Sequence, residues 1–111
     1  MKKVKLELDF LIGPIIKDVF SISKNKLVTG VDVIDNDSEI NNLNDKASAL
    51  YSSFYEFDEN NACRFNILMA KEHLDELMKL ITKIKDRLNI LNDGSFELND
   101  MVSEQLNRLN Q

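Results

Sequence analysis

From Lys3 to Phe10 the chain alternates without a break, with Val4, Leu6, Leu8 and Phe10 on one side and Lys3, Lys5, Glu7 and Asp9 on the other. Extended chains point successive side chains to opposite faces, so this pattern predicts a strand with one face buried. Gly13-Pro14 interrupts it, because proline removes a ladder donor and glycine tolerates positive φ. Residues 15 to 22 predict a second strand, with Ile16, Phe20 and Ile22 inward. Ser23-Lys24-Asn25-Lys26 reads as a polar turn, and the β-branched run from Leu27 to Ile34 predicts a third strand. Such short connections leave no room for a crossover helix, so the front third is expected to form a three-stranded antiparallel meander.

The period changes at Asp35-Asn36-Asp37-Ser38. These side chains satisfy the free N–H groups of a helix start, and their charge favours the positive end of its dipole. Ile40, Leu43, Ala47, Leu50 and Phe54 recur at spacings of three and four, which predicts a helix with one apolar stripe. A polar loop over 57–62 and a short strand over 63–66 follow. Ala70, Leu74, Leu77, Ile81, Ile84, Leu88 and Leu91 then predict a long helix with a buried seam, stopped by Asn92-Asp93-Gly94. Residues 95–98 offer a further strand, and Asp100 can cap a last amphipathic helix carrying Met101, Val102, Leu106 and Leu109.

The fold class expected is α+β, an antiparallel sheet packed against two longer helices and a short C-terminal helix. The 70–91 seam suits either the core of this chain or an interface in a small homo-oligomeric scaffold or adaptor. Leu68, Met69 and Met78 widen its apolar face beyond a strict seam, which favours core.

The length, 111 residues, fits one domain spanning 1–111, and 43% hydrophobic residues spread along the chain supply a core. Phe10 to Ile16 is the longest apolar stretch and falls far short of the roughly 20 residues that span a bilayer. The alternation that follows the N-terminal lysines gives no apolar signal-peptide core. The single cysteine, Cys63, cannot form an intramolecular disulfide, which suits a reducing, cytoplasmic setting.

The net charge of −5 disfavours nucleic acid or a membrane as a direct ligand. Residues 1–31 carry six lysines and three acids, whereas 32–59 carry eight acids against Lys46 alone, and 60–111 is nearly balanced. The acidity is thus one central segment. A solvated face would look the same, and so would a surface shaped for a basic partner.

The chain is poor in reactive groups. His73 lies among Glu72, Leu74, Asp75 and Glu76, and no second histidine stands one turn away to make a zinc site. Cys63, in Ala62-Cys63-Arg64-Phe65, reads as a buried structural thiol. Asp35, Asp37 and Glu39 resemble the start of a calcium loop, but Ile40 and Lys46 occupy the positions that need glycine and a bidentate glutamate. Three glycines, Gly13, Gly30 and Gly94, cannot write a phosphate-binding loop or dinucleotide fingerprint. No enzyme activity, cofactor, metal or small-molecule substrate is expected.

What remains is a binding surface. Tyr51 and Tyr55 crowd with Phe54 and Phe57 beside Glu56, Asp58 and Glu59. Tyrosine is a frequent interface anchor. One residue past Leu50 and Phe54, both tyrosines would flank the buried stripe, either as anchors or as a seal on the core.

Three stretches carry a family resemblance: Leu6-Glu7-Leu8-Asp9-Phe10-Leu11 with Gly13-Pro14-Ile15 and Lys17-Asp18; Thr29-Gly30-Val31-Asp32-Val33-Ile34-Asp35-Asn36-Asp37; and Leu50-Tyr51-Ser52-Ser53-Phe54-Tyr55-Glu56-Phe57-Asp58. Over roughly the first 60 residues the sequence resembles immunity proteins of bacterial contact-dependent growth inhibition systems. The resemblance implies a cytoplasmic protein that binds and neutralises the C-terminal toxin domain of a large secreted effector, often a ribonuclease. Asp35, Asp37, Glu39, Tyr51, Tyr55, Glu56, Asp58 and Glu59 are the residues expected to meet the basic toxin.

Overall fold

The computed structural model describes residues 1–111. The alternating N-terminal segment forms β1 (Lys2–Leu6), and Val4, Leu6 and Leu8 are buried with Phe10 half-buried beyond it. Its partner is not the next stretch of sequence. β1 pairs in parallel with β6 (Phe96–Asp100), from Lys2 opposite Phe96 to Leu6 opposite Asp100. On its other side Ile15 bridges back to Leu6, held by Glu7 N–H donating to the Pro14 carbonyl at 2.8 Å and Ile16 N–H to the Lys5 carbonyl at 3.0 Å.

The expected meander therefore gives way to three small two-stranded sheets. β2 (Val19–Ser21) and β3 (Lys26–Val28) form a separate antiparallel hairpin. The inward set also differs, since Ile15 is buried while Phe20 and Ile22 face solvent. The tight turn at Gly13-Pro14, a cis peptide, offsets the facing that period two predicts beyond it. Gly13 is fixed by sterics: φ is 81°, and a Cβ there would stand 2.2 Å from the Glu7 carbonyl oxygen.

The third predicted strand is also cut short. Its end folds as α1 (Asp32–Asp35), which buries Ile34 completely, so burial and local hydrogen bonding override β-branched propensity. After it, α2 (Ser38–Ser52) starts where the capping residues predicted, with the Asp37 carboxylate accepting from Ile40 N–H at 2.8 Å. Ile40, Ala47 and Phe54 have no exposed surface. A second hairpin follows, of β4 (Tyr55–Phe57) and β5 (Cys63–Phe65).

The long helix is two elements, α3 (Ile67–Glu72) and α4 (Leu74–Leu91), which break at His73 where φ is −103° and ψ 13°. The seam residues Ala70, Leu74, Leu77, Ile81, Ile84 and Leu88 are buried in the core of the chain, and Leu91 is half-buried against it. The last helix, α5 (Val102–Leu109), buries Val102, Leu106 and Leu109. Asp100 Oδ1 accepts from Val102 and Ser103 N–H, which is the capping role the sequence predicted. From α5 the Gln105 amide reaches back to Leu8, donating to its carbonyl at 3.0 Å and accepting from its N–H at 2.8 Å. The core is one α+β cluster running from the inner face of β1 and β6 through α2 and α4 to α5. No helix is long and apolar enough to cross a membrane.

Two glycines separate steric from conformational constraint. Both Gly13 and Gly94 have positive φ, but a Cβ at Gly94 meets nothing within 4 Å. Gly94→Ala should lower stability by about 1 kcal/mol, the cost of the backbone region alone. Gly13→Ala should cost about 2–3 kcal/mol because a backbone carbonyl must also move. Urea unfolding with unchanged slope measures both; equal losses would show that the turn relaxes freely.

Candidate functional site

The carboxylates of the central segment separate into two groups with different surroundings. Asp35, within α1, is occupied by its own chain: it accepts from the Thr29 N–H and hydroxyl at 2.9 and 2.7 Å and from Gly30 N–H at 3.0 Å. Asp37 caps α2 and holds Arg87 of α4 in a two-pronged pair, at 2.6 Å to Nη2 and 3.0 Å to Nε. Glu39 Oε2 forms an ion pair with the same guanidinium, 2.9 Å from Nε. These three residues, expected at an interface, fasten loop to helix and α2 to α4. The hydrogen bonds from Arg87 hold the Asp37 carboxyl below the usual carboxylate range.

Glu56, Asp58 and Glu59 lie on the β4–β5 hairpin, beyond the other end of α2. Fifteen helical residues put the two groups about 22 Å apart, so the single acidic surface suggested by the sequence is divided. Asp58 closes its own turn by accepting from Asn60 and Ala62 N–H at 2.8 and 2.9 Å. Glu56 accepts from the Asn66 side chain at 2.7 Å and stands across the ladder from Arg64. Glu59 is exposed at the tip. The hairpin thus shows three carboxylates against one guanidinium.

The tyrosines differ as well. Tyr51 is a buried core residue, and burial together with its hydrogen bond to Tyr55, 3.2 Å between hydroxyls, pushes its phenol pKa up. It seals the core rather than offering an anchor. Tyr55 is half-buried, with Phe10 at 4.9 Å and Phe65 at 5.1 Å between ring centroids. Phe57, grouped with the aromatic cluster in the sequence but left out of the expected contact residues, is 58% exposed and leans on Phe10 at 5.8 Å. Phe10 is the other residue missed as a site: the strand pattern counted it as core, yet it backs the hairpin from 45 positions away in the chain. Its only sequence signal is that the alternation ends with it.

Cys63 contradicts its predicted burial and is exposed; it lies directly across from Phe57, at the open edge of the β4–β5 face that carries Tyr55 and Phe65. His73 is half-buried, its ring stacked on Phe54 at 6.3 Å and its Nδ1 3.5 Å from Glu76. It serves the junction of α3 and α4. No group of three or more His, Cys, Asp and Glu side chains is arranged to hold a metal ion. The arrangement is suited to contact: an aromatic platform with one protruding ring and a rim of negative charge.

Asp100 has its carboxyl lowered to about 2, because hydrogen bonds from Lys85 and Ser103 outweigh the burial that opposes them. Groups depressed in the folded state stabilise it above their unfolded value, and that contribution is lost as pH falls through the folded value. Stability should therefore stay level above about pH 5 and decline from about pH 4 toward 2. Arg87→Met should lower the urea midpoint at neutral pH and flatten the acid limb by returning Asp37 toward its ordinary range. An acid limb of unchanged steepness in that variant would separate Asp37 from the acid response. Comparison with protein-family models, curated proteins and solved structures finds no match to this chain.

Proposed function

We propose that this chain is an immunity protein that binds the C-terminal toxin domain of a contact-dependent growth inhibition effector and occludes its basic active site. The observation that carries the reading is the β4–β5 hairpin, which exposes Phe57 on one face and Glu56, Asp58 and Glu59 on the adjoining strand and turn. The sequence resemblance includes Tyr55 to Asp58 and supplies the partner class. A ribonuclease attracts phosphate with lysine, arginine or histidine, and carboxylates set in that field take the place of the phosphate. Charge speeds the encounter, while a desolvated aromatic ring lengthens the life of the complex. The aromatic stack of Phe10, Tyr55 and Phe65 holds the hairpin in place beforehand, so little ordering entropy is lost on binding. The protein would act in the cytoplasm, where such a toxin works.

On this proposal a neighbouring reading frame encodes a large secreted protein, and its C-terminal domain is the toxin used in the test. Glu56→Lys with Glu59→Lys should slow association by at least about tenfold at low salt and flatten its salt dependence. Asp58 is left in place because it closes the turn. Unchanged association and salt dependence would remove the hairpin from the interface, and failure of the unaltered protein to protect cells producing the toxin would remove the reading. Cys63→Ala with His73→Ala should protect fully; loss of protection in that folded variant would point to an enzyme instead.

A further inference from the structure

The hairpin is one end of a longer apolar strip. Phe57 touches Phe10, and the next two residues, Leu11 and Ile12, are 71% and 52% exposed. They form a tight turn in which Ile12 bridges back to Asp9, and Leu11 N–H donates to the Ser52 hydroxyl at 2.8 Å. Across a hollow of about 230 Å³ from this turn stands Leu27 of β3, 54% exposed. Leu27 lies directly opposite Phe20 of β2, itself 58% exposed, so the two share one face of the hairpin. The neighbouring ladder pair, Val19 and Val28, lies on the other face, where Val28 is buried. Single exposed apolar residues need no explanation, but a run of them across a surface marks an interaction site.

Leu11 adds a second, independent observation. Its φ is 61°, a left-handed conformation that a leucine adopts at a steric cost. A glycine or asparagine would relieve that cost, and the exposed leucine side chain returns little packing to its own chain. A strained, solvent-facing apolar residue at a turn tip is what an outside contact would retain.

We infer that the strip from Phe57 through Leu11 and Ile12 to Leu27 and Phe20 is the body of the partner interface, with the hollow between Ile12 and Leu27, which Lys17, Asn44, Asp45 and Ser48 also line, taking one side chain of the partner that has an apolar stem and a polar end. This inference rests on the proposed neutralisation and names how the same toxin domain is held. The occupant follows from charge: the carboxylates of the hairpin border the Phe57 end and Lys17 and Lys26 adjoin the Leu27 end, so a protein whose apolar protrusion carries a cationic cluster on the first side alone fits both parts. The carboxylates set orientation and encounter rate; the strip provides the buried area that sets the dissociation rate.

The experiment measures binding of the toxin domain to the full chain and to three variants at exposed positions. Leu11→Gly should leave the melting temperature unchanged or higher while raising the dissociation rate at least about tenfold. Leu27→Ser should raise it to a similar extent. Ile90→Ser, at an exposed residue of α4 beside Arg87, should leave it unchanged. Amide exchange in the complex should show new protection at residues 10–13 and 26–28, a reading that needs no variant. Unchanged dissociation in both strip variants, absence of that protection, or an equal loss from Ile90→Ser would overturn this inference while leaving the neutralisation in place. A toxin domain that does not bind the unaltered chain would overturn both.

Discussion

The parallel pairing of β1 with β6 is the constraint on which the rest of the architecture depends. Each partner residue in this ladder is 94 positions from its mate, beginning with Lys2 and Phe96. A parallel pair cannot be closed by a turn, so nearly the whole chain becomes the crossover. Past Leu6 the strand backbone still needs partners, because Leu8 is buried and an unpaired buried peptide group costs about 1–3 kcal/mol. The Gln105 amide meets both needs of that residue, standing in for a strand. This fixes α5 against the extended segment that leads into the Phe10 to Ile12 turn.

The pieces legible in the sequence were those whose signal is local. The α4 seam repeats over many residues, and its facing was correct from Ala70 to Leu88. Asp37 and Asp100 cap helices at the places their side-chain chemistry indicated. The meander was not legible, since a period of two reports which face is buried and is silent about which strand lies alongside. Leu27 to Ile34 read as a strand because valine and isoleucine favour one; tertiary burial of Ile34 and the anchoring of Thr29 and Gly30 by Asp35 reversed that preference.

The proposed binding surface was half legible for the same reason. Glu56, Asp58 and Glu59 stand together because they are neighbours on one hairpin. Asp35, Asp37 and Glu39 left the group because α2 intervenes, and because Arg87, 50 residues from Asp37, pairs with two of them. Charge counted along a chain ignores both effects. The contribution of Phe10 and Leu11 depends on a turn at Gly13 whose path only the carbonyl of Glu7 explains. The proposed interface, composed of segments near residues 11, 27 and 57, therefore has no contiguous sequence signature, even though each part is simple once folded.

Closing the sheet with β6 also orders events in time. During synthesis, the edge of β1 that takes β6 stays open until Asp100 has left the ribosome, and Leu8 waits longer for Gln105. The hairpins β2–β3 and β4–β5 close over short loops and can form early, but the turn that sets Leu11 beside them is held by a strand whose ladder is completed last. The strand and the Leu8 backbone that lead into the Leu11 turn thus gain their last partners only on chains made through α5.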